Sequence, residues 1–322
     1  MAWWPRARLA RVARGPETVD RPGARYLAAL SATALALVLV SAFLHAVWSV
    51  VIKQSGDPLC FNLLQTWAAC VALAVVSFWI PWSAIPREVW LLLLATGPTH
   101  ALYIYWMSRA YELGDLSMVY PIARSTPAFM PFVAVPLLGE TLAPAGVVGI
   151  AIVVAGIWLV HAGQGWRWLT FAEPASRFAF LTLGATVAYS LIDKAAMADL
   201  AEAEWPSRLP RAIAYSLLLT AAHAISLAPL VLRARGFRAL RHTARSEIGR
   251  ATMAAAISFV GYTLILRALE TSLVSYVVAV RQMSVLFAVA LGVFWLRERP
   301  TRARVLGAVA TVLGVALIAR FG

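Results

Sequence analysis

Long runs of residues without a charged side chain follow one another along most of this chain. The first three of them cover 26–52, 59–86 and 89–108. About 20 apolar residues in a helix are enough to cross roughly 30 Å of hydrocarbon, and a water-soluble core can bury one such helix but not many in succession. The composition agrees, because 61% of the residues are apolar and 13% are charged, against about 45–50% and about 25% in soluble domains. The chain is therefore predicted to cross a membrane several times.

Hydropathy and turn residues divide the apolar runs into ten predicted membrane-spanning helices. The first five cover 27–51, 59–80, 89–108, 116–137 and 144–161, and the second five cover 178–193, 211–232, 251–268, 272–296 and 303–320. Turn residues such as those between Gly139 and Pro144 mark the breaks between them. The predicted fold class is an all-α membrane protein.

Arginine is concentrated at the start of the chain and in two later segments. Six arginines lie within residues 1–26, and the apolar run that follows is too long for a cleavable signal peptide, so we predict a basic cytoplasmic tail and a retained first helix. The arginines of 233–250 and 297–304 come after odd numbers of spans, on the side opposite the tail, so the charge bias conflicts over orientation. The net charge of +13 is attributed to topology and anionic lipid headgroups, and no nucleic acid partner is expected.

The second half of the chain repeats the first. Residues 108–160 align without a gap with residues 266–318, at a constant offset of 158, and the matched positions include an Arg-Ala-x-Glu motif. Because each repeat contains five spans, an odd number, the second must be inverted in the membrane, as in many transporters. The predicted fold is thus two inverted five-helix repeats. The predicted domains are a tail (1–26), a first repeat (27–162), a linker (163–177) and a second repeat (178–322).

Two motifs give the chain a resemblance to a known family. Residues 120–127 read Tyr-Pro-Ile-Ala-Arg-Ser-Thr-Pro and residues 138–141 read Leu-Gly-Glu-Thr, with weaker echoes in the second repeat. This pattern resembles the EamA-type members of the drug/metabolite transporter superfamily over residues 27–320. The resemblance implies ten helices, carriage of small metabolites, and a central cavity lined by spans one, three, four, six, eight and nine. It does not specify a substrate.

Two arginines lie inside predicted spans. Arg124 and Arg281 fall about seven residues, or roughly 10 Å, into spans four and nine, where a charge costs at least about 2.5 kcal/mol unless it faces a cavity or a partner. We interpret them as contacts for a carboxylate or phosphonate, which a guanidinium binds bidentately. The alternative is a structural role, in which they bond carbonyl groups that nearby prolines leave free. The repeat alignment pairs Arg124 with Gln282, so the two arginines are expected to be one position out of register.

Polar and aromatic residues on the inner spans are further candidates for binding a substrate. His100 and Tyr103 could hold an organic solute by stacking or cation–π contact, although a lone histidine between helices is more often only hydrogen-bonded. The complete predicted substrate-binding set is Arg124, Arg281, His100, Tyr103, Tyr120, Gln282, Trp48, Tyr189, Ser258 and Tyr262. His45 and His223 are interpreted as packing residues. Asp193 is the one other acid near the membrane interior, and no buried carboxylate relay for protons is predicted.

Repeated charged pairs, prolines and glycines are predicted to be structural or gating elements. The charged residues and prolines of this set are Arg109, Glu112, Arg267, Glu270, Glu140, Glu298, Pro121 and Pro127. The two Arg–Glu pairs have the three-residue spacing of an ion pair within a helix, and Lys53 and Lys194 are interpreted as interface anchors. Span four contains four prolines and is expected to be distorted, whereas span nine contains none and is not expected to bend alike. Glycines in spans five and ten favour close packing within the monomer over dimerisation.

The predicted function is secondary transport of a small polar or zwitterionic metabolite, amino-acid-like or an organic or phosphonic acid, by alternating access. An exporter of cationic or aromatic drugs or amines is the alternative within transport, and a membrane scaffold or sensor is the alternative outside it. The sequence has no Gly-x-Ser-x-Gly, His-Glu-x-x-His or phosphate-binding loop, so no catalytic residue, metal or cofactor is predicted. The expected partners are a small-molecule substrate and the lipid bilayer, the expected state is a monomer or homodimer, and the Arg- and Ala-rich composition favours a bacterial inner membrane.

Overall fold

The computed structural model describes residues 30–114, 116–161, 173–294 and 301–322, and every regular element in these ranges is a helix. The helices are α1 (Ala32–Lys53), α2 (Pro58–Val76), α3 (Arg87–Leu113), α4 (Leu116–Arg124), α5 (Thr126–Leu138), α6 (Pro144–His161), α7 (Pro174–Glu202), α8 (Arg211–Thr271), α9 (Val274–Arg281), α10 (Met283–Phe294) and α11 (Arg302–Phe321). Two short 3₁₀ helices, Ser77–Trp79 and Trp82–Ala84, connect α2 to α3.

Within these ranges, seven helical segments are long and apolar enough to cross a membrane. They are α1, α2, α6, α7, α8, α11 and a stretch that runs through α9 into α10. The class of protein predicted from hydropathy, a multi-pass membrane protein, is thus confirmed. Predicted spans three and four are not among the seven, because polar residues from Gly97 to His100 interrupt the apolar part of α3, and span four is divided into the short helices α4 and α5.

Predicted spans seven and eight belong to one element, the 61-residue α8. Gly236 divides it into two arms, 211–235 and 237–271, because this residue has φ 78° and ψ 165°, a backbone conformation that strongly favours glycine. The arginine-rich segment between the two spans is therefore helical on both sides of Gly236. The first arm packs against α2 and α3, and the second arm also contacts α1.

The last helix of each repeat packs against its counterpart through glycines. On α6, Gly149 faces Gly314 of α11, and Gly156 faces Gly307. A Cβ atom added to Gly156 would lie 2.8 Å from the Gly307 carbonyl oxygen, so the two backbones are in direct contact. The prediction that these glycines serve packing within the monomer is confirmed.

Replacing Gly156 with alanine is expected to destabilise the protein. The new methyl group would collide with backbone atoms that cannot rotate away, and overpacking of this kind costs about 1–3 kcal/mol of unfolding free energy. Gly184 on α7 is the matched control, because nothing lies within 4 Å of a Cβ added there. Thermal unfolding in detergent should show a lower midpoint for Gly156→Ala than for the wild type, and an unchanged midpoint for Gly184→Ala. Equal midpoints for the two variants would contradict the tight α6–α11 contact.

Buried charges hold the turn between α8 and α9. The Lys194 ammonium donates to the carbonyl oxygens of Leu269 and Ser272, at 2.6 and 3.1 Å, and so caps the end of α8. The Glu140 carboxylate accepts from the Val274 N–H at 2.5 Å and caps the start of α9. Lys194 is only 9% exposed, so its interpretation as an interface anchor is wrong: its partners are carbonyl groups of the protein interior.

The two repeated Arg–Glu pairs form as predicted. Arg109 contacts Glu112 at 2.5 Å, and Arg267 contacts Glu270. Glu112 also pairs with Arg235, next to the kink of α8, so the first pair ties α3 to α8. Glu298 lies outside the described residues, and its predicted structural role stays a prediction.

Candidate functional site

A cavity of about 110 Å³ lies between the two halves of the chain. Its walls come from α1, α2, α3, α7, both arms of α8 and α9. The polar and aromatic residues that line it are Ser41, His45, Trp48, Gln65, Thr66, His100, Tyr103, Tyr189, Ser216, Thr220, His223, Ser258, Tyr262 and Arg281. A polar cavity of this size can hold water or a small organic group. It extends to spans two and seven, which the family resemblance did not imply, and α4 contributes no lining residue.

The two candidate arginines occupy equivalent places in the fold. Arg124 is the last residue of α4, and Arg281 is the last residue of α9. In both cases the next helix begins two residues later, so each predicted span is interrupted directly after its arginine. The interruption turns the chain slightly and leaves backbone groups to be satisfied by side chains.

The residues at the two breaks, Ser125 and Gln282, form the same hydrogen bonds. The backbone N–H of each donates to the carbonyl three residues earlier, at 3.1 Å in both helices. The carbonyl four residues earlier is thereby freed, and the side chain at the break donates to it: Ser125 Oγ to the Pro121 oxygen at 2.7 Å, and Gln282 Nε2 to the Val278 oxygen at 3.2 Å. Pro127, which lacks an N–H, stands in the first turn of α5.

The repeat alignment and the breaks differ by one residue. The helices α4 and α9 begin at Leu116 and Val274, the predicted offset of 158, whereas the breaks pair Ser125 with Gln282, an offset of 157, so each arginine directly precedes its break. One prediction about these spans is wrong. Span nine was not expected to bend like span four, since it has no proline, yet it breaks at the equivalent place. The Gln282 amide explains this, because it satisfies the carbonyl that the break leaves free.

Both guanidinium groups face polar or aromatic partners and no carboxylate. Arg124 Nη2 lies 2.7 Å from His45 Nε2, and its guanidinium lies 5.1 Å from the centre of the Tyr120 ring. Arg281 lies 5.4 Å from the centre of the Tyr262 ring. The Nε atom of each arginine is buried without a hydrogen-bond partner. No carboxylate among the described residues forms an ion pair with either of them.

His45 joins Arg124 to the cavity. A guanidinium only donates, so His45 Nε2 must accept the hydrogen bond from Arg124, which requires a neutral ring. His45 and Arg281 both line the cavity, so Arg124 lies one hydrogen bond away from the cavity that Arg281 faces. The interpretation of His45 and His223 as packing residues is wrong, because both line the cavity.

Aromatic rings form one wall of the cavity, which we call the aromatic wall. His100 stacks on Tyr189 with ring centres 4.0 Å apart, and Tyr103 meets the edge of Tyr189 at 5.7 Å. Trp48 is positioned from α2, since its Nε1 donates to Gln65 Oε1 at 2.9 Å. Rings in such a wall can stack on an organic solute or contact an ammonium group.

Asp193 is a functional candidate that the sequence interpretation set aside. It is fully buried, and its Oδ1 accepts from Thr96 Oγ1 at 2.8 Å and from the Tyr215 hydroxyl at 2.7 Å. Its Oδ2 accepts from the Tyr262 hydroxyl and lies 3.2 Å from His100 Nε2. The spacing of four residues from Thr96 to His100, and again from Tyr189 to Asp193, was the available signal, because it places each pair on one helix face.

Most of the predicted substrate-binding residues are brought together. Trp48, His100, Tyr103, Tyr189, Ser258, Tyr262 and Arg281 line the cavity. Arg124 reaches it through His45, while Tyr120 stacks obliquely on His161, 5.2 Å between ring centres. The side-chain amide of Gln282 bonds its own helix. No group of three or more His, Cys, Asp or Glu side chains in the described ranges could hold a metal ion.

Comparison with known proteins gives a family and a fold. The family model described as the EamA-like transporter family matches residues 32–162 and 178–320. No curated protein matches the chain. Among solved structures, a crystal structure of a protein that is 16% identical superimposes with a TM-score of 0.62, over 89% of this chain and 96% of that chain. At this identity the likeness shows the fold alone.

Proposed function

Because the chain belongs to the EamA-like transporter family, within the drug/metabolite transporter superfamily, we propose that it is a secondary carrier. Its substrate is a small polar or zwitterionic metabolite with an acidic group, amino-acid-like or an organic or phosphonic acid. The carrier moves this substrate across a bacterial inner membrane by alternating access.

The pair of unmatched arginines is the observation that carries this proposal. Arg281 lines the cavity, Arg124 is hydrogen-bonded to the lining residue His45, and neither guanidinium has a carboxylate partner in the described part of the chain. Two positive charges within a membrane are costly unless a counter-charge reaches them. A carboxylate or phosphonate on the substrate supplies that counter-charge, and its oxygens match the donors of a guanidinium.

The aromatic wall supports a zwitterionic substrate. The stacked rings of His100 and Tyr189, with Tyr103 at their edge, lie in the same cavity as Arg281. An ammonium or an apolar side chain of the substrate can lie against these rings while its acidic group binds the arginines. Among the described residues, Asp193 is the buried carboxylate at this wall, and it is hydrogen-bonded to or in contact with four neighbouring groups.

The repeated architecture of the two halves supports alternating access. The breaks after Arg124 and Arg281 repeat the same hydrogen bonds in both halves, and the cavity lies between the halves. Two related halves of opposite orientation can expose a central site to each side in turn. The family-model ranges lie close to the proposed repeats 27–162 and 178–322, and outside the proposed tail 1–26 and linker 163–177.

A second candidate function is export of cationic or aromatic compounds. The aromatic wall favours it, because cationic solutes are attracted to the faces of such rings. The two arginines oppose it, since a cation entering the cavity would meet positive charges that no carboxylate of the described ranges pairs with.

The function is tested by flux into proteoliposomes of purified protein. A panel of radiolabelled amino acids, phosphonates, organic acids and amines is added, and uptake is compared with protein-free liposomes. Saturable uptake of at least one acid-bearing solute is expected. The methyl ester of that solute should not compete, because it lacks the anionic oxygens that the arginines bind.

The proposed substrate class and the proposed transport activity are overturned by different results. Uptake restricted to amines or uncharged aromatic solutes would overturn the acidic substrate and leave the exporter function. Absence of saturable uptake for every solute of the panel, with the protein folded and correctly inserted, would favour a scaffold or sensor without transport.

A further inference from the structure

The buried carboxylate of Asp193 is where four separate segments meet. Asp193 itself is on α7, Thr96 and His100 are on α3, Tyr215 is on the first arm of α8, and Tyr262 is on the second arm. An ionised carboxylate has about four acceptor positions. Thr96, Tyr215, Tyr262 and His100 occupy them all, so Asp193 has no position left for a substrate group.

His100 lies between this carboxylate and the cavity and contacts both. The His100 side chain is 12% exposed and lines the cavity, whereas that of Asp193 is 0% exposed. A carboxylate only accepts hydrogen bonds, so His100 Nε2 carries the hydrogen that faces Asp193, and Nδ1 is the nitrogen that remains for another proton. A proton from the cavity therefore converts the pair from a neutral imidazole beside a carboxylate to an imidazolium–carboxylate ion pair, without breaking any bond.

The other titratable and charged groups around His100 are two tyrosines, a histidine and one arginine. Tyr189 of α7 stacks on the ring, Tyr262 of the second arm meets its edge, and His223 of the first arm lies 5.8 Å from it between ring centres. Arg281 of α9 contacts the Tyr262 ring from the cavity. Lys194, next to Asp193 in sequence, is turned away to the carbonyls of Leu269 and Ser272. Asp193 is thus the only carboxylate that contacts His100 within the described ranges.

We propose that His100 and Asp193 form a proton-binding site that couples proton movement to substrate movement in the same direction. This inference rests on the proposed carrier function and on its acidic substrate. An anion bound to Arg281 and Arg124 makes the cavity less positive and favours the protonated form of His100. By linkage, protonation favours anion binding by the same factor, so the two are carried together. The counter-charge of Asp193 stabilises the imidazolium at membrane depth.

The proton site is tested without a substrate, by NMR of the ¹⁵N-histidine-labelled protein in nanodiscs. The chain has five histidines, and the His100 signal is assigned by its loss in His100→Gln. It should take up one proton as the pH is lowered, and Asp193→Asn should move this event down by roughly one to three pH units, since the carboxylate that favours the imidazolium is gone. His100 remaining neutral across the range, or titrating identically in Asp193→Asn, would overturn the proposal.

Asp57→Asn is the matched control for that experiment. It makes the same change at a carboxylate that lies between α1 and α2 and pairs with Arg235. This variant should leave the His100 titration unchanged. The signal of the exposed His242 is the reference for an imidazole in water, and the thermal unfolding midpoint of each sample reports that the protein is folded. An equal shift in both Asn variants would indicate a general effect on the fold and would also count against the proposed pair.

Coupling is tested with the same proteoliposomes that test the carrier function. For each acid-bearing solute of the panel, accumulation under an inward proton gradient is divided by accumulation through counterflow without a gradient. This ratio should be higher for the wild type than for Asp193→Asn. An equal ratio for the two proteins would overturn the coupling while the carrier function stands. Absence of counterflow in the wild type would instead remove the carrier function, and the NMR titration then decides on the proton site alone.

Discussion

Replacing Arg124 with glutamine is expected to raise the KM for the carried acid between about 100-fold and about 10,000-fold, because two charge-assisted hydrogen bonds of about 1.5–3 kcal/mol each are lost. Glutamine ends two bonds short of the guanidinium Nη2 atom, so the hydrogen bond to His45 is lost together with the charge, and the unfolding midpoint of the variant is measured beside its KM. Replacing Arg281, which lines the cavity directly, should have an effect of the same size. The measurement is the concentration dependence of uptake into proteoliposomes.

Two further variants separate charge from geometry. Arg124→Lys keeps the positive charge and loses the planar pair of donors, so its KM should lie between those of the wild type and Arg124→Gln. Arg267→Gln is the matched control, because this arginine is 59% exposed and pairs with Glu270 at the end of α8; its KM should remain that of the wild type. Uptake with an unchanged KM in both Arg124→Gln and Arg281→Gln would assign the arginines to structure.

Replacing Glu140 with alanine is expected to lower the free energy of unfolding by about 3–5 kcal/mol, since it leaves several buried donors without an acceptor. The Glu140 carboxylate accepts from the backbone N–H groups of Val274 and Ser275, at 2.5 and 3.3 Å, and from the Ser275 hydroxyl at 2.5 Å. These groups are at the start of α9, the helix that ends at Arg281. Thermal or denaturant unfolding in detergent measures the loss.

The charge of Glu140 contributes to this cap. Burial raises the pKa of Glu140 above its ordinary value, while the Ser275 and Val274 donors and the nearby Lys194 charge oppose that rise. Glu140→Gln keeps one acceptor oxygen and should therefore lose less stability than Glu140→Ala. Glu112→Ala is the control, because Glu112 is 33% exposed and its partners Arg109 and Arg235 can turn to water. Equal losses for Glu140→Ala and Glu112→Ala would contradict the capping role.

Local patterns along the chain were sufficient to predict the class of protein and several of its contacts. The membrane class follows from hydropathy, because each apolar run must leave water independently of how the runs pack. The Arg109–Glu112 and Arg267–Glu270 pairs follow from their spacing, since helix geometry alone brings residues three apart together. The α6–α11 contact follows from its glycines, because removing side chains is what lets two backbones approach.

Other features depend on contacts between residues far apart in the sequence. Asp193 receives hydrogen bonds from Thr96 and Tyr262, 97 and 69 residues away, and Lys194 reaches carbonyls 75 and 78 residues away. The spacing of residues along one helix does not reveal partners so far away in the sequence. In the sequence, Asp193 and Lys194 therefore resembled isolated polar residues. The break of span nine escaped prediction for a related reason: a proline is visible in a sequence, whereas a glutamine that satisfies a freed carbonyl is recognised only in the folded helix.

The sequence by itself thus determined which segments leave water, that the chain repeats, and which residue types enter the apolar spans, because these depend on composition and helical spacing. Only the tertiary structure decided that Arg124 and Arg281 each directly precede a helix break, that His45 bonds Arg124, and that His100 contacts Asp193. The physical reason is that the cost of a buried charge or polar group depends on the partners that surround it, and packing brings those partners from distant parts of the chain.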